Sequence, residues 1–391
     1  MTAGRTAQPR TKEQWRVFCA RTAPEQPQLP TYDEYLSWDP EDRAALDARR
    51  NRCHANPPIT KTEQVKTILA ALEPKLTQNE YAEEAAYHSA VINGPANCGK
   101  TSLLKMIGKE YELGVRRRHP ERGDPDRLGD WVPVVYVSAS TGATAGMLSQ
   151  AIGKFLHVPV SRGGNKWTLT DPVLDALAAA GTELLLLDDL HMLDKIRNGG
   201  DESNDHIKNL ANHAAVTIIG AGILLEDGNL FSDGQPPRQP LIETGTPVRR
   251  RQRGRSAQFG SRFSDLQHLA PFKIDTAERQ RTWMSLVRHF ERNLLLFMHR
   301  PDSLTLEHWQ YLHDRTSGYI GSLATLFEEG AHLAVEHHIE QLNPEMLENV
   351  VLDHDAETEY AALKQRRAKV PAKKAKKPSP PSTPTPRTGT G

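Results

Sequence analysis

Apolar positions along this chain fall into three regimes, and each predicts a different kind of structure. Over residues 1–60 they are sparse and the segment is polar and proline-bearing. Thr11-Lys-Glu-Gln14 has the form of a capping box ahead of a short helix carrying Trp15 and Phe18, and residues 33–50 read as a second helical piece. Thr60-Lys-Thr-Glu63 is a further capping box, with Val65, Ile68, Leu69 and Leu72 following at the spacing of an amphipathic helix. From about residue 88 short apolar runs (Ala90–Ile92, Val132–Val137, Glu183–Leu187, Ala215–Ile219) alternate with helical stretches near 100–110, 144–156, 171–180 and 203–213. That alternation predicts a parallel sheet covered by helices on both faces. From about 275 to 352 every periodic segment reads as helix, with stripes at Trp283, Leu286, Val287, Phe290 and at Ile320, Leu323, Ala324, Phe327, Ala331. Asn343-Pro344 starts a last helix with an N-cap followed by proline at the first helical position.

Two stretches interrupt this rhythm. Residues 113–130 are turn-rich and read as an exposed insertion, and residues 226–262 read as a long surface loop carrying the basic run Arg249–Arg255. The chain end from Lys364, rich in Lys and then in Ser, Thr and Pro, cannot bury a core and is expected to be disordered. The expected organisation is therefore an N-terminal helical extension (1–59), an α/β domain (60–274), an α-helical domain (275–355) and a basic tail (356–391).

Composition narrows the class. The chain has 391 residues, 38% of them hydrophobic, and equal numbers of basic and acidic residues (49 each), so no global field draws it to nucleic acid or membrane. Its three cysteines, Cys19, Cys53 and Cys98, suggest neither a disulfide framework nor zinc-ligand spacing, which favours a reducing cytoplasm. No secretory pattern follows Met1, and no apolar run approaches the length of a bilayer span; a soluble, cytoplasmic protein is expected.

The chemistry concentrates at Gly94-Pro95-Ala96-Asn97-Cys98-Gly99-Lys100-Thr101, followed by Ser102. A phosphate chain needs a bend whose backbone N–H groups point inward, and Gly94 and Gly99 permit it. Lys100 can reach the β- and γ-phosphates, Thr101 offers a hydroxyl to Mg²⁺, and the following helix adds the positive end of its dipole. A strand before and a helix after supply the context of an ATP-binding P-loop. Cys98 reads as a small filler. The second element is Glu183-Leu-Leu-Leu-Leu-Asp188-Asp189, an apolar strand ending in carboxylates, as a Walker B site requires. Asp188 is the expected metal-side residue and Asp189 the carboxylate placed to orient the attacking water. His191 reads as an ordinary hydrogen-bonded histidine or a sensor of the γ-phosphate.

In this order (P-loop, Leu-Leu-Leu-Asp188-Asp189-Leu-His191, Ala215-Val-Thr-Ile-Ile-Gly220, Ser261-Arg262-Phe263 through Pro271-Phe272, and Arg315-Thr-Ser-Gly318-Tyr-Ile-Gly321) the chain resembles the AAA+ ATPases of the TniB/TnsC type, which regulate transposition. The resemblance covers roughly residues 60–352 and implies a P-loop AAA+ core with a small all-α lid. It further implies ATP-dependent self-association into a ring or filament on double-stranded DNA, with a transposase or integrase as partner. In such assemblies an arginine of the neighbouring subunit completes the site. Arg262 matches that position; the alternative is a surface arginine ahead of a strand. The basic clusters at Arg116–Arg118, Arg249–Arg255 and the tail are either DNA contacts or solvated faces.

Three departures from the family pattern bear on rate. Asp189 stands where a glutamate is usual, Ala221 follows the strand where a polar sensor is expected with Thr217 lying earlier, and Gly318–Ser322 lacks a sensor arginine. Together they point to a slow, switch-like ATPase. A related ATPase with another client, a binding-only nucleotide switch and a small-molecule kinase are the competing readings.

Overall fold

The computed structural model describes residues 8–82, 87–123, 130–159, 166–193, 206–207, 210, 213–223 and 265–369. At its centre lie five parallel strands, β1 (Ala90–Asn93), β2 (Val134–Ser138), β3 (Leu184–Asp188), β4 (Thr217–Gly222) and β5 (Asp265–His268), in the order β2-β3-β4-β1-β5. All five residues of β3 are buried, which explains its unbroken apolar run: a central parallel strand is covered on both faces. Its register places Leu184 opposite Val134 and Thr217, and Asp188 opposite Ser138. β5 is not among the apolar runs because it sits at the sheet edge, and Asp265-Leu-Gln-His268 carries a single apolar side chain.

Helices flank the sheet: α1 (Lys12–Ala20), α2 (Tyr32–Ser37), α3 (Pro40–His54), α4 (Glu63–Glu80), α5 (Lys100–Arg118), α6 (Ala145–Leu156) and α7 (Lys166–Ala179). The N-cap of α4 is Thr62, whose hydroxyl accepts from the Val65 amide, and not Thr60. The helix starts two residues later than the pattern predicts because Thr62 is the residue that reaches the third free amide. The expected insertion at 113–130 begins as helix: α5 runs on to Arg118 because Val115 is fully buried and Arg116 pairs with Glu112 four residues back, 2.6 Å away. The surface loop expected over 226–262 lies outside the described residues, apart from its approaches on either side.

A second core belongs to the helices after the sheet: α8 (Ala277–Glu291), α9 (Ser303–Glu307), α10 (Trp309–Thr316), α11 (Ile320–Glu336), α12 (Pro344–Leu347) and α13 (His354–Lys369). The first predicted stripe and all of the second but Ala331 belong to it, and Trp283, Val287, Leu323 and Ala331 are fully buried. The tail expected from 356 departs from this: α13 is helical through Lys369, and Ala356 and Tyr360 are buried. Arg315 holds the helix by donating to the Glu357 carboxylate at 2.6 Å and the Val350 carbonyl at 2.7 Å, a tertiary anchor that overrides a polar composition. Residues 370–391 lie outside the described residues.

The N-terminal helices straddle both cores. Trp15 of α1 is buried against the sheet core, its ring stacked on Tyr136 of β2 with centroids 5.7 Å apart. At the other end, Arg50 of α3 forms a fully buried two-pronged ion pair with Glu340, both bonds 2.9 Å, beneath the rings of Tyr35 and Phe297.

Candidate functional site

β1 delivers the chain into Gly94 at the carboxyl end of the sheet, where open parallel sheets place their ligands. A Cβ at Gly94 would stand 2.2 Å from the Leu269 carbonyl oxygen, so only glycine lets the loop leave the strand here. Asn97 and Gly99 adopt left-handed backbone (φ 59° and 84°), which curls the loop and aims the first amides of α5 into it. Lys100 is buried and its Nζ donates to the Pro95 carbonyl at 2.6 Å, so the ammonium is held over the loop. Burial lowers its pKa, opposed by Cys98, Asp188 and Asp189. Cys98 is buried, and burial pushes its thiol up to about 11, which leaves it an inert filler in the loop.

Asp188 ends β3, 1% exposed, and the fold brings Thr101 to it: the Thr101 hydroxyl is hydrogen-bonded to its carboxylate. Tyr136 Oη donates to Oδ2 at 2.8 Å and the Asp189 amide to Oδ1 at 3.0 Å. Burial raises the Asp188 pKa, while the Tyr136 hydrogen bond opposes the rise. The phenol itself is pushed upward by burial and by Asp188, so it remains a donor. Asp189 is half-buried with left-handed backbone (φ 56°) and accepts from Ser138 Oγ at 3.0 Å. A carboxylate beside a hydroxyl is a hard-oxygen set that fits Mg²⁺, which takes few protein ligands and completes its shell with phosphate and water. Among the described residues no group of three or more His, Cys, Asp or Glu would hold a metal without such help.

The sensor positions are arranged by register. Thr217 begins β4, opposite Leu184, at the far end of the sheet from Asp188, and accepts from Asn79 Nδ2 at 2.6 Å. Ala221 pairs with Ile92 and is buried. Arg262 lies outside the described residues.

Against the loop, at Cys98, Gly99 and Ser102, lies a cavity of about 330 Å³ that the motifs did not announce. Its walls include Pro58, Ile59, Met106, Leu269, Phe272 and Ile320, drawn from the segment after α3, from α5, from the chain after β5 and from α11. Two histidines fix the first wall to the helical domain: His54 Nε2 accepts from the Leu295 amide at 2.9 Å, and His289 Nε2 lies 3.1 Å from the Pro58 carbonyl. The opposite wall is docked through backbone. The Gly321 amide donates to the Asn97 carbonyl at 2.8 Å, and a Cβ at Gly321 would come within 2.9 Å of that oxygen. The Phe272 amide donates to the Gly318 carbonyl, also at 2.8 Å. The glycines of Gly318-Tyr-Ile-Gly321 thus let the helical domain sit directly on the P-loop. The only signals for this cavity in the sequence were Pro57-Pro58 and those two glycines, and neither indicates a position in space.

The family model of bacterial TniB proteins matches residues 50–237. Among solved structures, the Orc1 protein of Aeropyrum pernix in complex with DNA is similar with a TM-score of 0.51 and 16% identity, over 79% of this chain and 68% of that one. The Orc2 protein of Aeropyrum pernix in its ADP form gives 0.48 and 13%, over 75% and 68%. Cdc6p from Pyrobaculum aerophilum gives 0.48 and 13%, over 73% and 64%. No curated protein matches the chain by sequence. No helix among the described residues is long and apolar enough to cross a membrane. The TniB match takes in both the P-loop and Asp188-Asp189, and the five-stranded sheet with its helical domain shares its fold with the Orc1 structure.

Proposed function

We propose that the chain is an ATP-dependent assembly factor on double-stranded DNA, which marks a target and recruits or activates a transposase. The observation that carries this reading is the TniB match over the same residues that the fold gathers into one site, Lys100, Thr101, Asp188 and Asp189. The fold is shared with an Orc1 protein in complex with DNA, which agrees with a DNA-bound client.

In this scheme the loop amides and Lys100 hold the triphosphate, and Thr101 and Asp188 hold Mg²⁺. When bound, the dication neutralises charge on the phosphates. Asp189 orients the attacking water, and Arg262 of a neighbouring subunit places a cation against the γ-phosphate, so that nucleotide joins subunits into a ring or filament. DNA contacts fall to basic residues not already committed within the fold. Arg116 is bound to Glu112 and the Trp131 carbonyl, and Arg118 to Glu80. That leaves exposed Arg117 as the candidate among the described residues of this cluster, and the sequence adds the basic run Arg249–Arg255 and the lysines beyond residue 369.

The test is ATP hydrolysis by the purified chain with and without double-stranded DNA, at low and moderate salt. Stimulation that fades as salt rises is expected, because phosphate contacts release counterions. Hydrolysis indifferent to DNA at both salts would assign the ATPase to another client. A binding-only switch is the second reading, favoured by Asp189, whose short carboxylate is also engaged by Ser138. Bound ATP without turnover, unchanged in Asp189→Glu, would establish it; a several-fold gain in that variant would instead identify the missing methylene as the cause of slow hydrolysis.

A further inference from the structure

One carboxyl in the cavity has no role in the scheme above. Glu328 lies on α11 two turns beyond Ile320, and Ile320, Gly321, Ala324 and Glu328 present one helix face to the cavity. Glu328 is half-buried, and among the described residues it makes no hydrogen bond and no ion pair. A carboxyl with no partner in a mostly apolar cavity is costly unless a ligand answers it. The cavity is lined by Cys98, Gly99 and Ser102 of the P-loop and not by Asp188, so a nucleotide with its phosphates in the loop would place its base here.

Resting on the nucleotide reading of this site, we propose that Glu328 is its base-reading residue, accepting from the exocyclic amine of adenine while its own hydroxyl donates to the neighbouring ring nitrogen. The chemistry selects this pairing. Adenine sets an amine donor beside a ring-nitrogen acceptor, and a protonated carboxyl offers the complementary acceptor and donor. Burial, with Glu329 beside it, pushes the Glu328 carboxyl up to about 7, so the acid form is accessible at neutral pH. Gln at this position would carry the same donor and acceptor permanently.

The experiment compares the affinity of the full chain for Mg²⁺-ATP and for the triphosphate of purine riboside, which has the same base without the amine. Wild type is expected to favour ATP by about tenfold, one hydrogen bond's worth. Glu328→Met, which keeps volume and removes polarity, is expected to bring the ratio near one, while Glu328→Gln preserves it. A ratio of one in wild type, or a ratio unchanged in Glu328→Met, overturns the assignment while leaving the phosphate site standing. Loss of the ratio in both variants overturns the acid form of the pairing. Failure of wild type to bind either nucleotide overturns the nucleotide reading itself, and this inference with it.

Discussion

The two ends of the candidate site are built in opposite ways. At the phosphate end the working groups are polar, buried (Lys100, Asp188) or half-buried (Thr101, Asp189), and supplied by two continuous stretches, Gly94–Thr101 and the Asp188-Asp189 pair, each attached directly to a strand. At the base end the walls are mostly apolar and come from four separate parts of the chain, held by backbone contacts and two histidines. Rigidity differs accordingly. The first end inherits it from strand pairing at the sheet centre, whereas the second has it only while the helical domain stays docked on the P-loop and on α3. On the proposed function, the difference means that nucleotide affinity has a sheet-borne part and a docking-borne part, separable by substitution.

The largest expected effect breaks the phosphate end. Lys100→Ala removes the buried ammonium facing Asp188 and Asp189 and should weaken binding of any Mg²⁺-nucleotide on the order of 100-fold, whatever its base. Titration with ATP and with inorganic tripolyphosphate checks this, and a loss confined to ATP would contradict it.

Acidification should act on the docking side instead. His54 is buried as an acceptor, and burial, then Arg50 and His332, lowers its pKa from 6.5 to about 4. A histidine depressed in the folded state contributes stability above its unfolded pKa, and that stability is lost as pH falls toward the folded value. Between pH 7 and about 5 the loss is about 2 kcal/mol, which should loosen α3 and the Pro57–Thr60 wall. Chemical denaturation at the two pH values should show this loss, and His54→Phe should flatten it.

A smaller effect sharpens the comparison at the dock. Gly321→Ala puts a methyl against the Asn97 carbonyl and lifts the helical domain off the loop. ATP affinity should fall about tenfold while tripolyphosphate affinity holds, because only the base wall has moved. Equal losses would show that the two ends are not separable.

The smallest is Tyr136→Phe. It takes one hydrogen bond from Asp188 and should shift the Mg²⁺ concentration needed for nucleotide binding by a few-fold, about 1 kcal/mol. No shift would mean that Thr101 and the Asp189 amide are enough to hold the carboxylate.

These experiments also separate what was readable from what was not. Four of the five strands stood out as apolar runs because a covered parallel strand leaves a continuous hydrophobic signature, and β5 escaped because an edge strand need not. The capping threonine of α4 was misplaced by two residues because both Thr60 and Thr62 precede Glu63 and only geometry selects Thr62. The helix over His354–Lys369 was hidden by its lysines and arginines, since its anchor, Arg315, lies far back in the chain from Glu357.

By itself the sequence determined the place of the glycine-bearing loop and the acidic strand end, because the chemistry read into them needs particular residues at fixed local spacing, and neighbours in sequence are then neighbours in space. It also determined the alternation of strands and helices and the helical domain after the sheet, because burial of one face imposes a period. Tertiary structure alone decided the base cavity, the place of Glu328 in it and the docking of the N-terminal helices on both cores. Those features join residues as distant as Arg50 and Glu340, and no local pattern records which remote partner will satisfy a buried group.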